Sequence, residues 1–137
     1  MLIKAFIIAA AAHKGQKDKG GRAYILHPVI VALKVKGFKC KTVALLHDVV
    51  EDTPITLEAL HKRGFSDDIV NAVDAITKRK NEPYEAYLSR VKNNNIAREV
   101  KKADLKHNSN LKRLKVVTDK DISRFKKYKY ALQYLEC

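Results

Sequence analysis

Thr42-Val43-Ala44-Leu45-Leu46-His47-Asp48-Val49-Val50-Glu51-Asp52-Thr53 is an almost wholly apolar run that carries a His-Asp pair in its middle and ends in two more acids. Val43, Leu45, Leu46, Val49 and Val50 leave no polar side for a surface helix, and a helix that is apolar all round is a buried one. The run predicts a central helix over 41–50 that takes His47 and Asp48 into the core. An ionised carboxylate there is costly unless it is paired or coordinates a metal. Imidazole beside carboxylate is ligand chemistry for a divalent cation. A satisfied core hydrogen bond or ion pair is the competing reading of the pair taken alone, so the decision passes to the rest of the chain.

Outward from this run the pattern is helical nearly throughout, with turn signals between segments and no long alternating strand. A first helix is expected over 2–13, followed by a polar loop over 14–23 that holds three of the five glycines. Tyr24-Ile25-Leu26-His27-Pro28 leads into a second helix, with Pro28 in the first turn where its missing N–H costs nothing, and Gly37 ending it. Beyond the central helix, Pro54 stops continuation and Thr56 caps a short helix over 57–63. Ser66, with Asp67 and Asp68, supplies a capping hydroxyl and two acids at the positive end of a further helix. Pro83 opens a helix containing Tyr84, Tyr87, Leu88 and Val91, which Asn93-Asn94-Asn95 breaks. From about Ile96 another helix carries Asp104 and His107. Thr118 and Asp121 have capping-box spacing before a last helix whose Ile122, Phe125, Tyr128, Leu132 and Leu135 read as core. The expectation is an all-α, single-domain helical bundle over 1–137.

With 46% hydrophobic and 31% charged residues in 137, the chain reads as globular rather than disordered. No apolar run approaches the roughly 18 residues of a membrane-spanning helix. The apolar opening of the chain lacks a preceding basic region, which argues against a signal peptide. Cys40 and Cys137 have neither metal-pair nor disulfide-framework spacing, which suits a reducing cytoplasm. The net charge of +13 favours anionic partners, whether nucleotides, nucleic acid or acidic surfaces, without choosing among them. Its basic runs, Lys112-Arg113-Leu114-Lys115 and Arg124-Phe125-Lys126-Lys127-Tyr128-Lys129, read as solvated helix faces. Without interleaved stacking aromatics they argue against a dedicated nucleic-acid surface. The sequence carries no signal for an oligomeric state.

Three places join ligand chemistry to an apolar or helix-terminal setting: His27, His47-Asp48 and Asp104. Two imidazoles and two carboxylates make a mixed N/O shell for a first-row divalent cation, and facing helices of a bundle commonly build such a site. Glu51 and Asp52 follow one turn after the His-Asp pair, placed to orient or deprotonate an attacking water. Acids at a helix C-terminus oppose its dipole, so a cation or a function should compensate them.

Four collinear stretches carry a family resemblance: Ala12-His13-Lys14-Gly15-Gln16, Tyr24-Ile25-Leu26-His27-Pro28, Ala44 through Thr53, and Lys102-Ala103-Asp104-Leu105-Lys106-His107-Asn108. Together they resemble the hydrolase domain of RelA/SpoT-type proteins, within the HD superfamily of metal-dependent phosphohydrolases. The resemblance implies an HD-domain helical bundle with a metal, usually manganese, on His27, His47, Asp48 and Asp104. It implies that Glu51 and Asp52 activate or position water, and that Lys19, Tyr24 and Asn108 contact a nucleotide. The family reaction removes the 3′-pyrophosphate of guanosine tetra- or pentaphosphate, and the chain is similar to the stand-alone small alarmone hydrolases. It departs from the family at Asp18-Lys19, where an Arg-Lys pair is usual, with Arg22 displaced towards His27. It departs again at Ser109-Asn110-Leu111, where Met-Arg-Thr is usual. The metal and water-activating positions are intact while base-contacting ones differ. The sequence reading is therefore a metal-dependent phosphohydrolase of nucleotides, helped by Lys19, Arg22 and Lys102. The alternative is a nucleotide-binding sensor of the same fold without turnover.

Overall fold

The computed structural model describes residues 1–110, 114 and 116–137. The chain runs through α1 (Leu2–Ala12), α2 (Leu26–Lys34), α3 (Phe38–Leu46), α4 (Val49–Asp52), α5 (Leu57–Lys62), α6 (Asp67–Ile76), α7 (Tyr84–Lys92), α8 (Asn95–Asn108) and α9 (Asp119–Glu136). Among the described residues helices are the only regular elements, apart from an isolated antiparallel bridge between Lys17 and Ala23 in the first loop. No described helix is long and apolar enough to cross a membrane. Leu111, Lys112, Arg113 and Lys115, which bear on one family departure and one basic run, lie outside the described residues.

The apolar run at the centre folds as two helices, where its sequence predicts one. Thr42 to Leu46 are all buried, as a helix apolar on every side requires. The break falls at His47 and Asp48 and has a local cause. His47 Nδ1 lies 2.6 Å from the Ala44 carbonyl oxygen, the acceptor that an unbroken helix would offer to the Asp48 N–H. The chain bends there and resumes as α4, which ends before Pro54 with Thr53 extended.

Two helices organise the packing: α3 against α1, α2, α6 and α8, and α8 against α2, α3, α6, α7 and α9. Val43, Ala44 and Leu46 of α3 and Val100 and Leu105 of α8 are wholly buried. Each such Val or Leu contributes about 1.5–3 kcal/mol relative to an exposed one. The caps at Thr56 and Thr118 form as the sequence predicts, the latter a full capping box. Ser66 sits at its N-cap position but its hydroxyl makes no capping hydrogen bond. The second helix stops at Lys34, ahead of Gly37, whose φ of +90° turns the chain into α3 instead.

Candidate metal centre

Three separate elements bring ligand-type side chains to one point. His27 stands in the first turn of α2, His47 and Asp48 at the bend between α3 and α4, and Asp104 in α8. Donor atoms of His27, His47 and Asp104 lie within 4.8 Å of one another, and all three residues are buried. Asp104 Oδ1 is 2.7 Å from His27 Nε2 and 3.3 Å from His47 Nε2. Asp48 Oδ2 joins them at 3.1 Å from His47 Nε2 and 4.0 Å from His27 Nε2. The four positions singled out in the sequence thus converge. Asp48 is less buried than the sequence predicts, its side chain 15% exposed.

The hydrogen bonds around this cluster leave a gap that a cation fits. The Ala44 carbonyl can only accept, so His47 Nδ1 carries the proton and Nε2 presents a lone pair. His47 Nε2 is buried without a hydrogen-bond partner. His27 Nδ1 is 2.6 Å from His107 Nδ1; with His27 as donor its Nε2 also turns a lone pair towards Asp104. Lone pairs facing carboxylate oxygens are satisfied only by something positive between them. Burial works against a charged His47, but Asp48 and Asp104 outweigh it and raise its affinity for a proton well above the ordinary value. Burial likewise opposes the Asp48 charge, and the His47 imidazole prevails, holding the carboxyl at about 2. A field that draws a proton onto a buried imidazole also favours a divalent cation, and two imidazole nitrogens with two carboxylates suit a first-row ion.

Several residues around the cluster were not distinguished by sequence reasoning. Lys101 donates from Nζ to Asp104 Oδ2 at 3.0 Å and lies 5.4 Å from the centroid of the Tyr87 ring. Burial opposes its charge, yet Asp104 and Tyr87 keep its pKa well above the ordinary lysine value. The Lys101 contact occupies one Asp104 oxygen and leaves Oδ1 to the histidines. His107, three residues after Asp104 and hence on the same face, stacks on His27 with centroids 4.9 Å apart. That i, i+3 spacing was the available signal. His13, also buried, faces Gln16 Oε1 at 2.5 Å through Nδ1 and leans on the Tyr24 ring.

Tyr24 donates its hydroxyl to Asp48 Oδ2 at 2.5 Å, so it reaches the metal cluster as well as the cavity beside it. Burial first, then the Asp48 charge, raise its pKa far above an ordinary tyrosine. Asn108 donates from Nδ2 to Asp104 Oδ1 at 3.0 Å. Glu51 and Asp52 are exposed and do not line that cavity, but they are near enough to the cluster that desolvation, then Asp48, raises both carboxyls. Glu51 Oε1 accepts the Lys78 backbone N–H at 2.7 Å, which opposes part of that rise and fixes the carboxylate.

A cavity of about 350 Å³ opens over His27. Lys19, Tyr24 and Asn108 line it, together with Asp18, Asp121, Arg124 and Tyr128. Tyr128 packs against the core as expected and also walls this cavity, whereas Arg124, expected on a solvated face, turns to the cavity as well. Arg22 is not among the lining residues and is exposed. Lys102 points away: helical geometry sets it on the opposite face of α8 from Asp104, where its Nζ lies 3.6 Å from Glu99. The cation that α8 supplies to the site is Lys101.

Comparison with known proteins follows the same lines. The HD domain profile matches residues 5–124. A guanosine-3′,5′-bis(diphosphate) 3′-pyrophosphohydrolase of Borreliella burgdorferi is 38% identical over 81 residues, which are 56% of this chain and 12% of that protein. The Haemophilus influenzae protein of the same name is 42% identical over 76 residues, 53% of this chain and 11% of its own length. The chain thus spans about a tenth of the length of these curated relatives. A solved structure of a metazoan orthologue of SpoT, described as hydrolysing ppGpp, has a TM-score of 0.79 at 22% identity, covering 98% of this chain and 84% of that one. That likeness is one of fold.

Proposed function

We propose that this chain, which belongs to the HD domain family, is a metal-dependent phosphohydrolase acting on the 3′-pyrophosphate of guanosine tetra- or pentaphosphate or a related nucleotide. The reading takes 1–137 as one hydrolase domain and manganese as its metal, held by His27, His47, Asp48 and Asp104. The observation that carries it is the buried, unpartnered His47 Nε2 among two carboxylates and a second imidazole, beneath a cavity with basic walls. The relatives named above as 3′-pyrophosphohydrolases guide the choice of substrate. A divalent cation there would supply Lewis acidity at a phosphoryl oxygen and a lower pKa for an attacking water.

The chain's own groups have distinct tasks in this reaction. Glu51, held by the Lys78 N–H and with its proton affinity raised by desolvation, takes the proton of the attacking water, and Asp52 helps to orient that water. Water adds to phosphorus as the bond to the 3′ oxygen breaks, releasing pyrophosphate, and the 3′ oxygen takes up a proton from solvent to leave as a hydroxyl while Glu51 returns its proton to solvent. Lys19 and Arg124 neutralise phosphate charge along the cavity wall, while Tyr24 and Asn108 bridge that wall to the metal ligands. A cytoplasmic site of action belongs to the same proposal and rests on Cys40 and Cys137 as free thiols.

The test is incubation of manganese-loaded protein with guanosine tetraphosphate and a nucleotide panel, with products identified by chromatography. Pyrophosphate release that disappears in Asp48→Ala and Glu51→Ala is expected. Tight nucleotide binding without any product would replace the hydrolase with a sensor, and full turnover in either variant would remove the assigned roles.

A further inference from the structure

Lys102 and Lys106 stand one turn apart on the face of α8 turned away from Asp104. Across from them the end of α2 brings Lys34 and Lys36 to the same open groove, about 510 Å³ in volume. Val35 and Ala103, each 7% exposed, give it an apolar floor. Four lysines line the groove against one acid, Glu99, and that acid lies beside Lys102. Among the described residues no acid pairs with Lys34, Lys36 or Lys106.

Ammonium groups gathered around one concavity repel one another, and low-dielectric walls focus their field into it. The carbonyls at the end of α2 would ordinarily make that end hostile to an anion. Lys41 removes this objection, because its Nζ donates to the Ala32 and Val35 carbonyl oxygens at 3.0 and 2.9 Å. The positive potential of the groove is therefore not cancelled by the helix end.

We propose that this groove is a second anion site, separate from the metal centre, that takes the phosphate chain of a small polyphosphate. Four cations, three on α2 and α8 and Lys36 just beyond α2, exceed what a single phosphate can satisfy and match the several charges of a chain of two or three phosphates. The groove offers no stacking aromatic, which nucleic-acid strands would use. The same two helices carry His27 and Asp104, 2.7 Å apart, so an anion bridging the lysines braces the helices that hold that pair. The proposal does not rest on the hydrolase reading.

The test is an amide-shift titration of the full chain with sodium triphosphate at about 0.15 M salt, repeated with a nucleoside triphosphate. Saturable shifts at Val35, Lys36, Lys102, Ala103 and Lys106, distinct from those at Tyr24 and Asn108, are expected. Lys102→Ala/Lys106→Ala should weaken the groove response by about tenfold or more while leaving the Tyr24 and Asn108 response in place. Lys34→Ala/Lys36→Ala tests the opposite wall should the first variant fold poorly. Equal affinity for triphosphate and nucleotide identifies the phosphate chain as what is read; a preference for the nucleotide identifies it as the source. Shifts confined to the catalytic cavity, shifts that never saturate and that sodium chloride reproduces, or undiminished binding in a folded variant would each overturn the site.

Discussion

The floor and the wall of the cavity over His27 are built on opposite principles. At the floor, His27, His47 and Asp104 are buried, and their positions are fixed by other buried or half-buried groups: the Ala44 carbonyl, His107, Lys101 and Asn108. At the wall, Lys19 is half exposed and only loosely paired, 3.9 Å from Asp121, while Arg124 is 39% exposed and bonds Asp121 at 3.3 Å. Low dielectric makes each floor interaction large and each omission costly. Solvent screens the wall, so its members act one at a time and can be exchanged. The proposed reaction thus places chemistry where substitution is punished, and selectivity where it is tolerated.

If that contrast holds, removing Asp104 should have the largest effect. Asp104→Ala deletes the carboxylate shared by both histidines and strands the largely desolvated Lys101 ammonium, whose side chain is 17% exposed. We expect loss of stoichiometric metal by elemental analysis and a fall in turnover of about 10³-fold or more. The unpaired Lys101 should cost about 3–5 kcal/mol of stability in denaturant titration. Lys101→Met probes the same floor from behind. Asp104 keeps its histidine and Asn108 contacts but loses the partner on Oδ2, so metal affinity measured by calorimetry should fall about 10–100-fold, with a smaller loss of turnover at saturating metal. An unchanged metal affinity would mean that the ligands are fixed without help from Lys101.

The same contrast explains what could be read in the sequence. The floor stood out in the sequence because burying His47 among Val43, Leu45, Leu46 and Val49 goes against ordinary partitioning, which a ligand role or a satisfied polar pair would relieve. The helices followed from periodicity, Pro and Gly, and cap residues such as Thr56 and Thr118. The bend at His47 was not legible, because it depends on one side chain competing for a main-chain carbonyl, which no periodicity records. Lys101 and Lys102 were confused for a related reason: neighbouring lysines look alike in a string, and a 100° rotation separates one that meets Asp104 from one that meets Glu99. The cavity-facing place of Arg124 was not legible, because tertiary packing of α9, and not its composition, decides it.

Arg124→Ala moves to the wall and should produce a smaller and different change. One partly solvated charged contact to phosphate is worth about 1.5 kcal/mol, which predicts a rise of roughly tenfold in KM. Metal content and kcat should stay near wild type in steady-state assays with manganese. A fall in kcat instead would show that Arg124 acts on the transition state, and would place part of the chemistry on the wall.

The smallest effect should come from a pair outside both regions. Arg90 grips Glu82 through Nε at 2.8 Å and Nη2 at 2.7 Å, and the same guanidinium donates to the Thr77 and Asp74 carbonyls, tying α7 to the end of α6. The Arg90 hydrogen bonds lower the Glu82 carboxyl from 4.5 to about 2. Because the folded value lies below the unfolded one, the contribution to stability is fully present above pH 4.5 and is lost as pH falls towards 2. Glu82→Gln should therefore be slightly less stable than wild type at neutral pH and should converge with it in acid, as denaturant midpoints across that window would reveal. Metal content and KM should not move. A variant that lost metal as well would show that α7 transmits strain to α8, and would end the clean separation between a rigid floor and its surroundings.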